Sequence, residues 1–517
     1  RRERIREIGQ GFLDNDDDYG RKLYLIENCL YGVDIQSIAT QVSKLRFFIS
    51  LVVDQQIRPD RPNFGVRPLP NLETKFVTAD TLIEIEKPDQ QRELSDLTTL
   101  RKLQDALQEV RHKIFSVKQT ETKQKYKDED LALREQIAAE LKLNGWHSDT
   151  ADRLAAWDPY KQNNSADFFD PEWMFGLKGF DVVIGNPPYI SVEKFAGNPI
   201  QQKWKSNFET YAARGDVYCF FYERGAQLLN NGGSLVYITS NKWMRASYGK
   251  GLRNFLSAKV DTDSVLDFGM AQNFGAATTY TCITRLYRQP PEKRILSCYV
   301  TNDRAAMENP AVYFAENAVL QTNLSEDAWV LLTKERLKIK SEVESKGTPL
   351  ITWKVDINSG IKTSHNKAFI VTEKKYQELI SEDPSSKRIL HPILRGEDVK
   401  RYCSNWKGYY VIGTFKQIRD TYKLDDYPAI KRHLLPYRDE LEPRPADWNQ
   451  AENGKWKGRN TQPFDYLWYE VFFSPDLKRF RQPKIMYPNM TKFLPFYLDK
   501  QNFFCNQKAF IITGDLI

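Results

Sequence analysis

The stretch Phe180-Asp-Val-Val-Ile-Gly-Asn-Pro-Pro-Tyr-Ile190 decides the fold of the first half of the chain. Its apolar start predicts a buried β-strand that ends at Ile184, because a short apolar run bounded by glycine and proline is typical of a strand inside a sheet. Pro187 and Pro188 then fix the conformation of the following loop. Ligands of open α/β sheets bind beyond the carboxyl ends of strands, so we expect the reacting group at residues 186–189.

Strands and helices alternate on both sides of this stretch. Upstream, residues 29–34 and 76–80 each predict a short strand that closes on an acid, and residues 38–54 have apolar side chains at helical spacing. Downstream, the patterns predict a helix at 217–229, a turn at 232–233, and strands at 234–239, 264–268, 279–287 and 296–300. This order favours an α/β fold, with an open, mostly parallel sheet and helices on both faces.

A charged segment interrupts the alternation. Residues 90–143 contain neither glycine nor proline and carry many charges, which predicts a solvated pair of long helices inserted at about residues 88–145. After about residue 350, aromatic residues, prolines and basic residues replace the alternation. We therefore predict two domains, residues 1–335 and residues 350–517, of which the second is of the α+β class.

The composition excludes several classes of protein. The 517 residues include 75 basic and 68 acidic ones, and the net charge of +7 permits a polyanionic partner such as nucleic acid. The six cysteines form no C-x-x-C pair and are accompanied by only five histidines, so we expect reduced thiols and no metal site. No apolar run approaches the ~20 residues that a membrane span needs. The sequence therefore predicts a cytoplasmic protein with no membrane partner.

The loop at residues 186–189 offers hydrogen-bond acceptors and an aromatic face. The Asn186 side-chain oxygen and the Pro187 backbone oxygen are neighbouring acceptors, and Tyr189 supplies a ring for stacking. This set fits an aromatic amine such as that of adenine, whose nitrogen lone pair is delocalised into the ring. Two acceptors on the amine hydrogens would localise the lone pair toward an electrophile, as preorganised electrostatic stabilisation. No strong base is then required.

The tetrapeptide Asn186-Pro187-Pro188-Tyr189 resembles the N/D-P-P-Y/F/W signature of N6-adenine DNA methyltransferases. With its flanks, it is similar to the large methylases of type IIG restriction-modification and phage-exclusion systems, and the order of blocks resembles the gamma arrangement. Further blocks of resemblance lie at residues 31–36, 44–51, 217–229, 232–253 and 274–285. The resemblance implies a Rossmann-like sheet that uses S-adenosylmethionine to methylate N6 of a flipped adenine in double-stranded DNA, in a restriction-modification or phage-defence system.

The resemblance also implies roles for residues at the cofactor site. Asp34, with its neighbour Ile35, would bind the cofactor through hydrogen bonds from the ribose hydroxyls to the carboxylate. The alternative is that Asp34 caps the helix that begins near residue 37. Asp80 would contact the cofactor adenine, and capping of its own loop is the alternative. Asn186 belongs to the cofactor site as well as to the catalytic loop.

Two aromatic residues are candidates for holding the target base. Tyr189 would stack on the flipped adenine, because extruded bases are held by aromatic side chains. The alternative is a buried tyrosine that closes a turn. By resemblance, Phe274 would pack edge-on against the base, and a core phenylalanine is the alternative.

One part of the family pattern is missing from the sequence. The glycine-rich cofactor loop, which in the family resembles D-P-A-C-G-S-G and precedes the block at 31–36, does not occur, and Gly9-Gln10-Gly11 follows no predicted strand. The chain also opens at Arg1 without methionine and ends at Ile517 directly after a strand-like run. We therefore expect a longer natural protein whose other parts include nuclease or specificity regions.

The second predicted domain resembles the TaqI-like target-recognition domain of the same family. The resemblance is carried by residues 358–369, 394–402 and 484–488. Arg395, Lys400 and Arg401 are candidates for DNA binding, because basic side chains that contact phosphates position a protein on the duplex. A solvated turn is the alternative for these three residues.

Other functions remain open from the sequence. The missing cofactor loop favours a catalytically silent DNA-binding fragment, and the tetrapeptide also occurs in methyltransferases that act on RNA or on protein glutamine. A nuclease within this chain is disfavoured, because the nearest E-x-K pattern, Glu140-Leu-Lys142, lies in the charged helical stretch and not on a strand.

Overall fold

The structure, a computed structural model, describes residues 17–87, 97–269, 280–445, 456–459 and 467–514, except residues 302, 323 and 492, together with a few positions before residue 17. The chain divides into two compact units, Arg1–Lys340 and Ser341–Ile517. The division lies inside the helix Lys334–Lys346, between the two domains that the sequence predicts. Each unit is described by itself.

Unit 1 is a mixed α/β structure. Its strands are β1 (Gly32–Asp34), β2 (Phe76–Thr78), β3 (Phe180–Gly185), β4 (Leu229–Ser240), β5 (Asp261–Asp267), β6 (Thr281–Tyr287), β7 (Arg294–Tyr299) and β8 (Val319–Thr322). Its helices are α1 (Asp18–Asn28), α2 (Ser37–Val53), α3 (Leu97–Ser116), α4 (Thr120–Leu143), α5 (Ser148–Ala156), α6 (Pro171–Phe175), α7 (Pro199–Asn207), α8 (Tyr218–Gln227), α9 (Lys250–Ala258), α10 (Asp303–Glu308), α11 (Pro310–Asn317) and α12 (Lys334–Lys346).

The strands of unit 1 form two sheets among the described residues. Strands β1 and β2 make a parallel pair, and the other six follow the order β3-β4-β6-β5-β7-β8. In the larger sheet the pairs β3–β4 and β5–β7 are parallel, whereas β4–β6, β5–β6 and β7–β8 are antiparallel. The prediction of a mostly parallel sheet holds for β3, β4, β5 and β7, which run in one direction, whereas β6 and β8 run against them. The predicted turn at 232–233 is wrong, since both glycines lie inside β4.

Strand β3 lies at the edge of the larger sheet. The sequence predicts it as buried, but Val182 is 62% exposed and Ile184 is 76% exposed. Side chains of a strand project from the two faces of the sheet in turn, so Val182 and Ile184 lie on one face, and that face is exposed at β3. The start of β3 does contact the smaller sheet, where the ring centroids of Phe180 and Tyr31 are 6.2 Å apart.

Helices α3 and α4 form the predicted hairpin, but it is not solvated on both sides. Leu107, Ile137 and Leu141 are buried in the main core of unit 1. Arg111 and Arg134 each donate from Nε to the carboxylate of Asp130, at 2.8 and 2.7 Å. All three charged side chains are almost fully buried. One buried carboxylate therefore pairs with two buried guanidinium groups inside the unit, which a count of charged residues does not reveal.

Unit 2 has the α+β character that the sequence predicts. Its strands are β9 (Val355–Ser359), β10 (Ile370–Thr372), β11 (Leu390–Leu394), β12 (Val399–Lys400), β13 (Cys403–Ser404), β14 (Tyr409–Ile412), β15 (Lys484–Pro488), β16 (Tyr497–Asp499), β17 (Phe504–Cys505) and β18 (Ala509–Gly514). Its helices are α13 (Asn366–Phe369), α14 (Glu373–Glu382), α15 (Pro428–Leu434) and α16 (Arg438–Leu441). Two four-stranded sheets, β10-β14-β11-β17 and β16-β15-β18-β9, share one core, and β12–β13 is a separate hairpin.

Two further features of the chain concern its thiols and its helices. All six cysteines are free thiols, and four of them, at 219, 282, 298 and 505, are buried. Among the described residues, no helix combines the length and the apolar character needed to cross a membrane.

Candidate functional site

Three strands of unit 1 end at the same edge of the larger sheet. Strand β3 is parallel to β4, and both β4 and β5 run antiparallel to β6, so β3, β4 and β5 share a direction. The residues that follow their carboxyl ends are Asn186, Asn241 and Phe268. In α/β sheets this edge is where ligands bind.

The loop after β3 is held by its own tyrosine. The Tyr189 hydroxyl lies 2.9 Å from Asn186 Oδ1 and 3.2 Å from the backbone oxygen of Ile238 on β4, so it donates toward both acceptors. The Tyr189 ring is half-buried and packs edge-on against Tyr218, with centroids 6.0 Å apart. Asn186 itself is exposed. The loop therefore presents the Asn186 amide to solvent in an orientation that Tyr189 fixes.

The acceptors of this loop keep capacity for a ligand. An amide oxygen has two lone pairs, and the Tyr189 hydroxyl occupies one of those on Asn186. Within the described residues, no hydrogen bond reaches the Pro187 backbone oxygen. The two acceptors that the sequence predicts thus each keep a lone pair that no described hydrogen bond uses, at the exposed Asn186 and at the buried Pro187.

Burial keeps the Tyr189 hydroxyl and the Cys282 thiol beside the loop protonated. Burial, with smaller effects of Cys282 and Asp216, raises the pKa of Tyr189 to about 12. Burial also raises the pKa of the Cys282 thiol to about 12. At neutral pH, Tyr189 is consequently a hydrogen-bond donor, and Cys282 is not a thiolate nucleophile.

The end of β5 is fixed by a small hydrogen-bond network. Asn241 donates from Nδ2 to Asp267 Oδ1 at 2.7 Å and to the backbone oxygen of Gly269 at 3.1 Å. The Gly269 N–H donates back to Asp267 Oδ1 at 2.9 Å. Gly269 has a φ of +59°, a conformation that glycine adopts without strain. These hydrogen bonds connect the residue that follows β4 with the end of β5.

Asp216 is a further candidate site residue, and sequence reasoning missed it. It pairs with Ser191 in an antiparallel bridge, so its segment runs beside the Asn186 loop. Its Oδ1 atom is buried without a hydrogen-bond partner among the described residues, and burial raises the pKa of its carboxyl. An acid in front of a helix resembles an ordinary cap, but α8 has no side-chain cap. A buried carboxyl oxygen without a partner is a candidate acceptor for a ligand.

Asp34 lies at the end of β1 with its carboxylate exposed. Asp34 Oδ1 accepts a hydrogen bond from the Gln36 N–H at 2.8 Å, and the N-cap position of α2 is Gln36, not Asp34. Asp34 therefore does not cap helix α2, which was the alternative to a role in cofactor binding. Its neighbour Ile35 is 57% exposed. The Asp34 carboxylate and the apolar Ile35 side chain are thus exposed next to each other.

Asp80 is less available than Asp34. It follows β2, whose Thr78 is paired with Asp34 across the two-stranded sheet. Its Oδ1 atom accepts a hydrogen bond from the Leu82 N–H at 3.0 Å, which is the loop-capping arrangement. Burial raises the pKa of the Asp80 carboxyl. Among the described residues, no hydrogen bond connects Asp34 or Asp80 with the Asn186 loop.

The remaining candidates differ in what the structure says about them. Phe274 lies outside the described residues. Arg395 has carboxylate partners of its own, Glu397 at 2.8 Å and Asp398 at 3.0 Å, and its guanidinium lies over the Tyr409 ring. Its charge is therefore neutralised within unit 2.

Lys400 and Arg401 are exposed at the tip of the β12–β13 hairpin. No carboxylate of the described part of the chain forms an ion pair with either. They remain candidates for phosphate contacts.

The nuclease alternative has no support in the described residues. Glu140 and Lys142 lie on helix α4, and Lys142 forms an ion pair with Asp152. No cluster of three or more histidine, cysteine, aspartate or glutamate side chains that would hold a metal ion occurs in the part of the chain that the structure describes.

Comparisons with known proteins identify a family and several relatives. Residues 28–274 match the family described as Eco57I restriction-modification methylase. A curated relative, the type II methyltransferase M.PaeR7I of Pseudomonas aeruginosa, is 24% identical over 330 residues, which are 60% of this chain and 55% of the relative. The type II restriction enzyme and methyltransferase RM.Eco57I of Escherichia coli is 32% identical over 204 residues, which are 38% of this chain and 20% of the relative.

A solved structure of the type IIL restriction-modification enzyme MmeI in complex with DNA covers 98% of this chain and 60% of its own, with 12% identity and a TM-score of 0.48. The chain spans 55% and 20% of the lengths of the two curated relatives. The expectation of a restriction-modification methylase is confirmed by the family match. Residues 28–274 of this chain are therefore similar to the Eco57I restriction-modification methylase family.

Proposed function

We propose that this chain is the catalytic and DNA-recognition part of a methyltransferase that uses S-adenosylmethionine to methylate N6 of adenine in double-stranded DNA. The Asn186 loop carries the proposal most directly, since it combines two available acceptors with a tyrosine that fixes one of them. The family of residues 28–274 and the type II methyltransferases among its relatives support the reaction class.

The Asn186 loop suits an amine nucleophile. The Asn186 Oδ1 and Pro187 oxygen atoms would accept the two hydrogens of the adenine amine and so localise its lone pair on nitrogen. The protonated Tyr189 hydroxyl keeps the Asn186 amide oxygen in place while the reaction proceeds. Tyr189 would also offer the free part of its ring to the flipped base. S-adenosylmethionine supplies a methyl group on a positively charged sulfur, so no further activation of the electrophile is needed.

The state of Cys282 argues against methylation through a covalent intermediate. Methylation through a covalent intermediate needs a strong nucleophile such as a thiolate. The buried Cys282 thiol beside Tyr189 has a pKa raised to about 12 and is fully protonated at neutral pH. Direct transfer to an exocyclic nitrogen is the reaction that the described side chains support.

The residues at the end of β1 fit the nucleoside part of the cofactor. The Asp34 carboxylate is exposed and has an oxygen left for ribose hydroxyls, and Ile35 offers an apolar contact. The half-buried Asp80 carboxyl already accepts a hydrogen bond within its own loop. We therefore assign it one further contact, a hydrogen bond from the amine of the cofactor adenine. Asp34 is therefore the acid whose removal tests the cofactor site.

The variant Asp34→Ala is expected to weaken S-adenosylmethionine binding by about 10- to 100-fold, because a hydrogen bond to a charged group contributes ~1.5–3 kcal/mol. Calorimetric titration of the full chain with the cofactor measures the effect. Asp60→Ala is the matched control, because Asp60 is an exposed aspartate of the same unit with no assigned role. Equal affinities of the two variants and the wild type would remove Asp34 from the cofactor site.

In unit 2, Lys400 and Arg401 are assigned to DNA phosphates. The double variant Lys400→Glu/Arg401→Glu is expected to weaken binding to all duplex sequences alike and to reduce the slope of log affinity against log salt by ~0.9 for each phosphate that the protein no longer neutralises. Fluorescence anisotropy on two unrelated duplexes across a salt series measures both quantities. Lys374→Glu, an exposed lysine of the same unit, is the control. A wild-type slope in the double variant would assign both residues to a solvated turn.

The decisive test of the proposed function is methylation with base resolution. The full chain is incubated with isotope-labelled S-adenosylmethionine and duplex DNA, and the modified nucleoside is identified by mass spectrometry. Label in N6-methyladenine supports the proposal. DNA binding without any label would indicate a catalytically silent module, and label in added RNA or protein would indicate another substrate class.

A further inference from the structure

Unit 2 exposes four large apolar side chains in two adjacent turns. Met490 is 84% exposed, Phe493 80%, Leu494 71% and Tyr402 76%. The first three lie between β15 and β16, and Tyr402 lies at the tip of the β12–β13 hairpin. Single exposed apolar residues are ordinary, but a cluster of them marks a binding surface.

The two turns are tied together and held in shape. The Tyr402 N–H donates to the Phe496 backbone oxygen at 2.9 Å, which joins the hairpin to the longer loop. Within the loop, the Thr491 hydroxyl bonds to the Phe493 backbone oxygen at 2.5 Å. At its base, Phe496 packs against Tyr487, with ring centroids 5.7 Å apart. The apolar tip is therefore presented by an ordered support.

Tyr402 adopts a backbone conformation that its side chain disfavours. Its φ is +64°, in the left-handed region that bulky residues rarely enter. The conformation directs a tyrosine ring into solvent, although glycine would form the same turn without strain. Strained residues of this kind are concentrated at binding sites.

Cations surround the apolar cluster. A cavity of about 500 Å³ between the two turns is lined by Lys400, Arg401 and Lys508 together with Met490 and Phe493. Its one acid, Glu397, forms an ion pair with Arg395 at 2.8 Å. In the described part of unit 2, no acid pairs with the three lining cations. An apolar tip with free positive charge at its base is complementary to bases flanked by phosphates.

We infer that Tyr402, Met490, Phe493 and Leu494 form an apolar wedge that enters duplex DNA between base pairs while Lys400, Arg401 and Lys508 contact the flanking phosphates. Proteins that kink DNA insert Phe, Leu or Met side chains in this way and partly unstack a base step. The inference rests on the proposed function in one respect, namely that duplex DNA is the partner.

The test uses the full chain and a duplex that contains 2-aminopurine, whose fluorescence rises when it is unstacked. Wild-type protein is expected to bind the duplex and raise the fluorescence. The variant Phe493→Ala/Leu494→Ala is expected to bind about tenfold more weakly, because each aromatic or apolar stack contributes appreciably to affinity, with an unchanged salt slope and little rise in fluorescence. Phe493→Trp keeps a stacking ring and is expected to retain the fluorescence rise.

The controls separate the wedge from folding and from the phosphate contacts. Ile351→Ala removes an apolar side chain that is 93% exposed elsewhere in unit 2, and it is expected to bind as the wild type does. Thermal melting of each variant verifies the fold, since none of the replaced side chains is buried.

Two outcomes would overturn the inference alone. In the first, the wild type binds and methylates DNA, and the Phe493→Ala/Leu494→Ala variant keeps the wild-type affinity and fluorescence rise. This result leaves the proposed function intact. The other is a wild-type dimer that becomes monomeric in the variant without any change in DNA binding, because the cluster then belongs to a protein interface. Absence of any DNA binding by the wild type would overturn the proposed function as well.

Discussion

Replacement of Asn186 by alanine is expected to lower the methylation rate by about 100- to 1000-fold, which is the effect of removing one preorganised hydrogen-bonding group at a reacting centre. The affinity for DNA should change little. The reason is that the Asn186 oxygen accepts more strongly as the adenine amine becomes positively charged, so its contribution appears in the transition state. Single-turnover methylation and duplex binding, measured on the same preparations, separate the two effects.

Two further variants sharpen this experiment. Asn186→Asp keeps an oxygen acceptor at the same place and is expected to retain much more activity than Asn186→Ala. Asn207→Ala removes an exposed asparagine at the end of α7 and is expected to behave as the wild type does. Near-normal turnover in Asn186→Ala would mean that the loop holds the substrate by other contacts and that the proposed chemistry is wrong.

The variant Asp130→Ala is expected to lower the free energy of unfolding by ~3–5 kcal/mol, because it leaves buried charges without their counter-ion. Asp130 is fully buried between Arg111 and Arg134. Both guanidinium groups also donate to backbone oxygens, Arg111 to Trp173 and Arg134 to Trp157, so they are unable to turn outward without breaking these hydrogen bonds as well.

Urea denaturation followed by circular dichroism measures the effect of Asp130→Ala. The control is Asp128→Ala, since Asp128 is an exposed acid on the same helix that contacts only Gln124. A destabilisation below about 1 kcal/mol, the range of a surface ion pair, would show that water reaches the two arginines in the native state.

The apolar run at 180–184 was sufficient to predict β3 but not its place in the sheet. A continuous apolar strand indicates burial on two faces, yet Val182 and Ile184, which share one face of the sheet, are exposed on the edge strand β3. Which strand lies beside which is set by contacts between distant parts of the chain, and these leave no local pattern. The direction of β6, which makes the sheet mixed, was hidden for the same reason.

The charged helices show a different limit. Residues 97–143 have the charge content of a solvated hairpin, but Asp130 is buried between Arg111 of the facing helix and Arg134, one turn along its own helix. Sequence patterns report the number of charges and not their pairing. Asp216 was missed in a similar way, since its orphaned carboxyl oxygen depends on the neighbouring Asn186 loop.

The site was predicted best where chemistry is contained in adjacent residues. Asn186, Pro187 and Tyr189 are close in sequence, so their mutual geometry was largely fixed by the loop itself. The apolar wedge was not predicted, because Tyr402 and Phe493 are far apart in sequence and meet only through the fold of unit 2.

The distribution of thiols gives the molecule a natural handle for labelling. A thiol reacts with maleimides as the thiolate, and burial raises the pKa of Cys282 and of Cys505 to about 12 and that of Cys298 to about 11. Cys403 is exposed, and it follows Tyr402 in the hairpin. Once the half-buried Cys29 is replaced by serine, a dye attached under mild conditions therefore reports from the edge of the wedge, where quenching by a neighbouring base makes DNA binding visible without any introduced cysteine.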